Sequence, residues 1–260
     1  MATESILLVG RESRGTDAVL ETHADRIARR SDAERVVTAT YEQEPIRELR
    51  GTVEAIDAET VYAVPMCAAH SYDTVNDIPA LLSYVSGDVR YCEPVGQSPA
   101  VTDVLAERAR EELSPGADAS LVLVGFGSSS QPYNRQTTEY HASRLRERGA
   151  YDAVVTCYLL QNPAVECVRY NVGTSSAVAV PLFVARSEAT ESRIPEQLEL
   201  GRGGMAYADP LGEHPRVTDA VLAEVEKQRS LADDADHGGF EATLAEDSRP
   251  VATDGEGEPR

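Results

Sequence analysis

The sequence predicts two similar α/β domains, each a parallel four-stranded sheet flanked by helices, related by internal duplication. The first observation is a repeat: residues 61–82 and 177–198 align without a gap at an offset of 116 positions, and nine of the 22 pairs are identical. Chance alone would give about one or two identities, so the segments are copies of one unit. A second pair, PVGQSPAVTD (94–103) and PLGEHPRVTD (210–219), matches at six of ten positions with the same offset. Third, eight short apolar runs alternate with helical patterns, which is typical of parallel sheets covered by helices.

In the first half, each apolar run is short and is followed by a helical pattern. Ile6–Gly10 reads ILLVG, a continuous apolar run that favours a strand buried on both faces. A helical pattern over Asp17–Arg30 follows it. The other strands are predicted at Arg35–Tyr41, Thr60–Pro65 and Val89–Cys92, and the other helices start at Pro45, around Asp77–Pro79, and at Pro99 after the N-cap Ser98.

The second half repeats this order of strands and helices and is followed by an acidic tail. Its strands are predicted at Leu121–Gly125, Val154–Leu159, Ala177–Val180 and Met205–Tyr207, with a last helix from Pro215. The halves join at the short turn Ser114-Pro115-Gly116. We therefore predict domains at 1–115 and 116–229. Residues 230–260 are rich in Asp, Glu, Gly, Pro and Ser, so we predict a disordered tail there.

The amino-acid composition limits which kinds of molecule the protein is expected to bind. The formal charge is −20, and all but one of the 24 basic residues are arginine. Such a surface repels nucleic acid and anionic lipid, so neither is expected as a partner. The acid-rich, almost lysine-free composition resembles cytosolic proteins of haloarchaea. Four cysteines without a regular spacing indicate a reduced, cytoplasmic setting with buried free thiols, and neither a signal peptide nor a membrane-spanning run is found.

The loops that follow the strands are where chemistry is expected. In open α/β sheets, ligands bind beyond the carboxyl ends of the strands. In the first half these loops carry Gly10–Ser13, Glu42–Pro45 and Cys67–His70, and in the second Gly125–Ser128, Leu160–Pro163 and Phe183–Arg186. His70 is the one chemically versatile side chain of the long repeat, and its partner position is Arg186. This asymmetry makes His70 the leading candidate.

These motifs resemble the class II chelatases of the CbiX and SirB type, the sirohydrochlorin cobaltochelatases and ferrochelatases. That family carries a first-strand motif like LLVGHGSR, a glutamate before a proline after strand two, a motif like PLFLxxGxHxxxDIP, and PLGxHP at the last helix. The resemblance covers about residues 5–228. The first two motifs match at Leu7–Gly10 with Ser13-Arg14, and at Glu42 with Glu44-Pro45. The last two match at Val64–Met66 with His70 and Asp77–Pro79, and at Pro210–Pro215.

The resemblance implies insertion of a divalent metal into sirohydrochlorin or a related tetrapyrrole, in cobalamin or sirohaem synthesis. The metal is then a substrate, Co²⁺ first and Ni²⁺ or Fe²⁺ as alternatives, and no permanent cofactor is expected. His70 and Glu42 are expected to hold the metal, with His70 also the catalytic base for the pyrrole protons. Arg11, Ser13 and Ser128 are expected to bind the substrate, because arginine and serine loops suit carboxylates.

The sequence also departs from the family pattern. The first-strand histidine is replaced by Arg11 in the first half and by Phe126 in the second. The alternative is therefore a catalytically inactive relative that binds or delivers a tetrapyrrole or metal. Structural roles are expected for the remaining candidates: buried packing for Cys67, a cap or loop position for His214, the surface for His23 and His141, and the tail for His237.

Overall fold

The computed structural model describes residues 3–236 of the chain, the side chains of 233–236 excepted. Two separate four-stranded sheets form, and both are parallel throughout. The first sheet has the order β2-β1-β3-β4 and is built from Glu4–Arg11 (β1), Arg35–Tyr41 (β2), Thr60–Pro65 (β3) and Asp88–Tyr91 (β4). The second has the order β6-β5-β7-β8 and is built from Gly116–Gly125 (β5), Tyr151–Tyr158 (β6), Ser176–Pro181 (β7) and Met205–Tyr207 (β8). The predicted fold class is confirmed.

Helices lie between the strands in both halves. They are Thr16–Ala28 (α1), Pro45–Glu54 (α2), Ile78–Leu82 (α3), Pro99–Glu112 (α4), Tyr133–Glu147 (α5), Ile194–Gln197 (α6) and Pro215–Asp236 (α7). Helices α3 and α6 each follow a single π-helical turn, at Asp73–Asp77 and Ala189–Arg193. Helix α7 continues through Asp236, so the predicted disorder is wrong for 230–236. The rest of the predicted tail, His237 included, lies outside the described residues.

The long repeat forms the same structure twice. In the first half, the Ser71 amide donates to Thr74 Oγ1 at 2.8 Å, and in the second the Ser187 amide donates to Thr190 Oγ1 at 2.9 Å. In such turns a threonine hydroxyl accepts a hydrogen bond from a backbone amide that has no backbone carbonyl to donate to. The identities in the repeat thus include positions whose role is to shape the loop after β3 and β7.

The last helix of each half lies against the sheet of the other half. Helix α4 packs on β7 and α5, whereas α7 packs on β3 and α1. Side chains from both halves therefore form one common core, while each sheet keeps a smaller core of its own on its opposite face. The predicted boundary at 115/116 remains a prediction about the repeat unit, and the structure adds that the units are interlocked.

Two histidines hydrogen-bond to the helices α4 and α7 that cross to the other half, and both histidines were predicted at the surface. His23 of α1 is fully buried, with Nδ1 2.8 Å from Thr218 Oγ1 on α7 and Nε2 3.0 Å from the Gly212 carbonyl. His141 of α5 is its counterpart, 2.8 Å from Thr102 Oγ1 on α4 and 2.7 Å from the Gly96 carbonyl. The surface prediction is wrong because each ring is covered by a helix from the other half. Burial lowers the pKa of both rings, that of His141 to about 4.

The four thiols are free, and their burial differs. Cys92 and Cys157 are buried as predicted, and burial raises the pKa of each to about 12. Cys67 is half-buried, and burial likewise raises the pKa of its thiol, to about 12. Cys167 is exposed, so the prediction of burial is wrong for this residue. It lies in a short 3₁₀ segment, Val165–Tyr170, whose buried side is occupied by Val165 and Val168.

Candidate active site

A cleft lies where the carboxyl ends of the two sheets face each other. It has a volume of about 280 Å³ and is lined by the ends of β1 and β3 on one side and by the segment after β7 on the other. Its lining includes Gly10–Ser13, Tyr41, Met66–Ala69 and Asp73 from the first half, and Phe126, Asn134 and Leu182–Ala185 from the second. This is the location that the open α/β architecture predicts for a ligand.

The first half supplies a polar wall to the cleft. The Tyr41 hydroxyl donates to Asp73 Oδ2 at 3.0 Å, and Arg11 Nη1 lies 3.7 Å from the same oxygen. Arg11 Nε also donates to the Glu42 carbonyl at 3.0 Å. Burial, and then the neighbouring Asp73 carboxylate, raise the pKa of Tyr41 far above its usual value. Tyr41 therefore stays protonated and acts as a hydrogen-bond donor to Asp73.

The second half supplies an apolar wall. Phe126 and Phe183 meet edge to face, with ring centroids 6.2 Å apart and an interplanar angle of 77°. Leu182 and Val184 line the cleft beside them. Phe126 remains 39% exposed, so an apolar surface is presented to any ligand that enters. The two walls together suit a flat molecule with an apolar face and charged edges.

His70 lines a separate cavity next to the cleft. This His70 cavity has a volume of about 580 Å³ and is formed by His70, Glu93, Gln97 and Pro99 with Tyr133, Gln136, Thr137 and Tyr140 of α5. His70 Nε2 lies 2.9 Å from Glu93 Oε2, and Nδ1 lies 3.2 Å from Thr74 Oγ1. The ring of Tyr133 stands edge-on to the imidazole with centroids 5.7 Å apart. The imidazole is thus held at both nitrogens inside a space that residues of both halves enclose.

The structure brings some of the predicted residues together and not others. Arg11 and Ser13 line the cleft, and Ser13 Oγ donates across it to the Arg186 carbonyl at 3.0 Å. Glu42 lines neither the cleft nor the His70 cavity, and the carboxylate in contact with His70 is Glu93. Ser128 does not line the cleft, and its hydroxyl accepts from the amides of residues 130 and 131 in its own loop. The assigned roles of these residues remain predictions.

Other polar residues were missed by the sequence analysis. Tyr41 is the last residue of β2, so its position at a carboxyl strand end was a usable signal. Asp73 stands four residues before Asp77, which is the spacing at which the family motif carries its histidine, whereas His70 stands seven residues before it. Glu93 follows β4, a strand whose loop was not among the candidates. His214 does occupy the predicted cap position, where its Nδ1 accepts from the Arg216 amide at 3.3 Å.

Two negative findings apply to the part of the chain that the structure describes. Within residues 3–236, no group of three or more His, Cys, Asp or Glu side chains is arranged to hold a metal ion. Over the same range, every helix is too short or too polar to cross a membrane.

Comparison with known proteins gives this fold and site a family. The family model CbiX matches the chain twice, over residues 5–112 and 120–228. The chain belongs to the CbiX family, and both halves carry the family domain. Among curated relatives, a probable sirohydrochlorin cobaltochelatase of Halobacterium salinarum is 28% identical over 225 residues, which are 74% of this chain and 76% of that protein. A sirohydrochlorin cobaltochelatase of Methanopyrus kandleri is 28% identical over 137 residues, covering 42% of this chain and 95% of the relative.

Solved structures agree on the architecture. SirB from Bacillus subtilis with Fe³⁺ superposes with a TM-score of 0.74 at 21% identity, covering 89% of this chain and 97% of that one. A multi-domain protein of Deinococcus radiodurans, described as similar to chelatases with two additional domains, gives a TM-score of 0.72 at 25% identity. That match covers 86% of this chain and 55% of the Deinococcus chain. The duplicated chelatase-like fold is thereby confirmed.

Proposed function

We propose that the chain inserts a divalent metal ion into sirohydrochlorin or a related tetrapyrrole, with Co²⁺ as the first choice of metal. The observation that carries the proposal is the cleft between the halves, in which a polar wall of Arg11, Tyr41 and Asp73 faces the apolar wall of Phe126 and Phe183. A tetrapyrrole has a flat apolar face and carboxylates at its rim, which matches this arrangement. The relatives named as sirohydrochlorin chelatases support the same substrate class.

Metal insertion needs a base for two pyrrole protons and a weak, open site for the ion. Asp73 is suited to part of this task because Tyr41 and Arg11 both contact its Oδ2, which leaves Oδ1 available to a pyrrole N–H or a metal ion. The hydrogen bond from Tyr41 holds the carboxylate in place, as a positioned base requires, and Arg11 adds a nearby positive charge. Since the Tyr41 phenol stays protonated, Tyr41 orients Asp73 and does not compete with it for protons.

His70 enters the proposal with a different partner from the one expected. Its contact with Glu93 is that of an imidazole oriented by a carboxylate, which raises ligand basicity in metal sites. We assign His70 to capture of the metal ion beside the cleft: Glu93 holds Nε2, and Nδ1 takes the ion in place of its contact with Thr74, a residue that also lines the cleft. Glu42 stays the predicted additional carboxylate at the Arg11 side of the cleft.

The test is an anaerobic insertion assay with sirohydrochlorin and Co²⁺, followed by the change in absorbance. Because a positioned base contributes roughly 10²- to 10⁴-fold, Asp73→Asn is expected to slow insertion by about 10²-fold or more. Asp25→Asn is the matched control, since Asp25 is exposed on α1. Equal rates for the wild type and Asp73→Asn, with insertion above the uncatalysed background, would remove Asp73 from the mechanism.

A second candidate function is binding or delivery of a tetrapyrrole or metal without insertion. It is favoured by the cationic Arg11, whose guanidinium lies 3.7 Å from Asp73 and opposes a metal ion in the cleft. Tetrapyrrole binding by the wild type with insertion no faster than background would select this function. Arg11→His would then be informative, because a gain of insertion would show a decayed site on an intact scaffold.

A further inference from the structure

The position in the second half that corresponds to the His70 cavity is occupied by another cavity, which we call the arginine cavity. It has a volume of about 320 Å³, and its charged lining consists of Arg14, Arg108, Arg186, Asp209 and Glu213. The offset of 116 relates Arg186 to His70 and Asp209 to Glu93. The two cavities are therefore repeat copies with different side chains.

The lining of the arginine cavity carries three arginines against two carboxylates, Asp209 and Glu213, in a chain that is strongly acidic. Its three arginines come from three separate segments: the loop before α1, helix α4 and the loop after β7. The residue that corresponds to Arg108 at the same offset is Glu224, whose carboxylate accepts the Glu93 amide at 3.1 Å beside the His70 cavity. The concentration of positive charge is therefore a property of one copy only.

Arg108 has donor capacity that the protein does not use. Its side chain is only 19% exposed, and burying a guanidinium is costly unless its donors are satisfied. Nη1 lies 3.0 Å from Glu111 Oε2 and Nη2 donates to the Leu211 carbonyl at 3.3 Å. Nε is buried without a hydrogen-bond partner among the described residues. A guanidinium held in this way favours an additional anionic group nearby.

The start of helix α1 adds to the positive potential. Gly15 precedes the helix with a φ of 109°, so no side chain caps the first turn. Gly15 and Ala18 both line the arginine cavity. The Thr16 amide donates to the Ser13 carbonyl at 3.0 Å and Asp17 lies in the first turn, so the helix start adds only the positive end of its dipole to the charge of the three guanidinium groups.

Two of the arginines form ion pairs with carboxylates, but these pairs are exposed to solvent and a ligand can displace them. Arg186 Nη2 lies 2.8 Å from Asp209 Oδ1, and the two side chains are 58% and 56% exposed. Arg14 Nη1 lies 3.1 Å from Glu191 Oε2, with the arginine 83% exposed. Exposed pairs of this kind contribute little to stability, so an anionic ligand with several charges competes for both arginines.

The arginine cavity borders the cleft through consecutive residues. Ser13 and Ala185 line the cleft, while the residues that follow them, Arg14 and Arg186, line the arginine cavity. We propose that the arginine cavity binds a carboxylate of a polycarboxylate ligand. Resting on the proposed function, we assign this carboxylate to the rim of a tetrapyrrole seated in the cleft. A small free polycarboxylate has the same chemistry and is the other source.

The experiment compares Arg14→Gln/Arg186→Gln with Arg47→Gln/Arg50→Gln, which makes the same charge change on α2 outside the cavity. All four arginines are more than half exposed, so both variants are expected to fold, which their melting temperatures check. The probes are metal-free uroporphyrin, an octacarboxylate, followed by its fluorescence, and tricarballylate, followed by titration calorimetry. Loss of charge-assisted hydrogen bonds is expected to weaken uroporphyrin binding roughly tenfold or more in Arg14→Gln/Arg186→Gln and less than about twofold in the control.

The outcomes separate the source of the carboxylate and the proposed function. A loss confined to tricarballylate would keep the carboxylate site and overturn the tetrapyrrole assignment. Unchanged binding of both probes, relative to the control variant, would overturn the site itself. Arginine-dependent uroporphyrin binding in a protein that inserts no metal would reject the proposed function and leave the arginine cavity supported.

Discussion

The two side cavities show how one scaffold carries two chemistries. In the first half, His70 lies 2.9 Å from Glu93, and at the equivalent place in the second half Arg186 lies 2.8 Å from Asp209. Both are pairs of a basic and an acidic side chain, on the loops after β3 and β4 or after β7 and β8. An imidazole releases its proton near neutral pH and binds metals, whereas a guanidinium does neither. On the proposed function, this difference assigns metal capture to the His70 side of the cleft and carboxylate binding to the Arg186 side.

The backbone around the two pairs is the same. The Tyr91 hydroxyl donates to the Thr74 carbonyl at 2.6 Å, and the Tyr207 hydroxyl donates to the Thr190 carbonyl at 2.9 Å. These contacts fix the turn that carries each loop, so the repeat keeps the geometry while the side chain at position 70 or 186 sets the chemistry. The cleft shows the same asymmetry, with Arg11 on one wall and Phe126 on the other.

The largest expected effect concerns the buried histidines that join the halves. The pKa of His141 is about 4 in the folded protein against about 6.5 when unfolded, so between these values the unfolded chain takes up a proton that the folded chain refuses. The free energy of unfolding is therefore expected to fall as the pH drops from 6.5 to 4, by on the order of 3 kcal/mol for this ring. Denaturant unfolding at several pH values measures it.

The control removes the titrating group from each half in turn. Carboxylates also titrate in the lower part of this range, so the wild-type profile is compared with His141→Gln and His23→Gln. His141→Gln is expected to flatten the profile between pH 6.5 and 5 more than His23→Gln does. Identical slopes in all three proteins would show that neither ring is responsible.

The next effect concerns the side chains that distinguish the two pairs. His70→Arg places at position 70 the arginine that the second half carries at position 186. It is expected to slow Co²⁺ insertion by about 10²-fold, because a guanidinium neither binds the ion nor accepts a proton. Arg186→His is the reciprocal change and is expected to alter the insertion rate less than about threefold at saturating sirohydrochlorin. Equal losses in the two variants would mean that the pairs have no separate roles.

The smallest expected effect is on the free energy of unfolding, and it tests whether the repeated tyrosine–threonine hydrogen bond stabilises both halves equally. Tyr91→Phe and Tyr207→Phe each remove one hydrogen bond to the carbonyl of the repeated threonine. Each is expected to lower the free energy of unfolding by about 1 kcal/mol. Equilibrium unfolding in urea is the measurement, and a difference of more than about 1 kcal/mol between the two variants would contradict the equivalence of the loops.

Most of the fold was predictable because its signals are local. The strands Arg35–Tyr41, Thr60–Pro65 and Met205–Tyr207 have the predicted bounds, since short β-branched and apolar runs between polar segments favour strands. Strand β5 begins earlier than predicted, at Gly116, because Gly116 pairs with Tyr151 of β6 ahead of a register shift before Ser120, although the first three residues of the strand are exposed. Pairing with a neighbouring strand there compensates for the missing apolar pattern.

The candidate site was predictable only in its location. The strand ends pointed to loops that line the cleft, and Arg11 and Ser13 are among its lining residues. Asp73 was missed because the histidine of the family motif was matched to His70, although Asp73 is the residue that stands at the motif's spacing of four before Asp77. Glu93 was missed because its contact with His70 joins residues 23 positions apart through the pairing of β3 with β4.

The sequence alone determined the duplication, the eight parallel strands and the loops that border the cleft, because repeat identity and apolar periodicity are properties of neighbouring residues. Only the tertiary structure decided that α4 and α7 cross to the opposite sheets, that His23 and His141 are buried between them, and that His70 meets Glu93 in a cavity closed by α5. The physical reason is that burial and close packing depend on contacts with distant segments, such as the His23–Thr218 hydrogen bond across 195 positions.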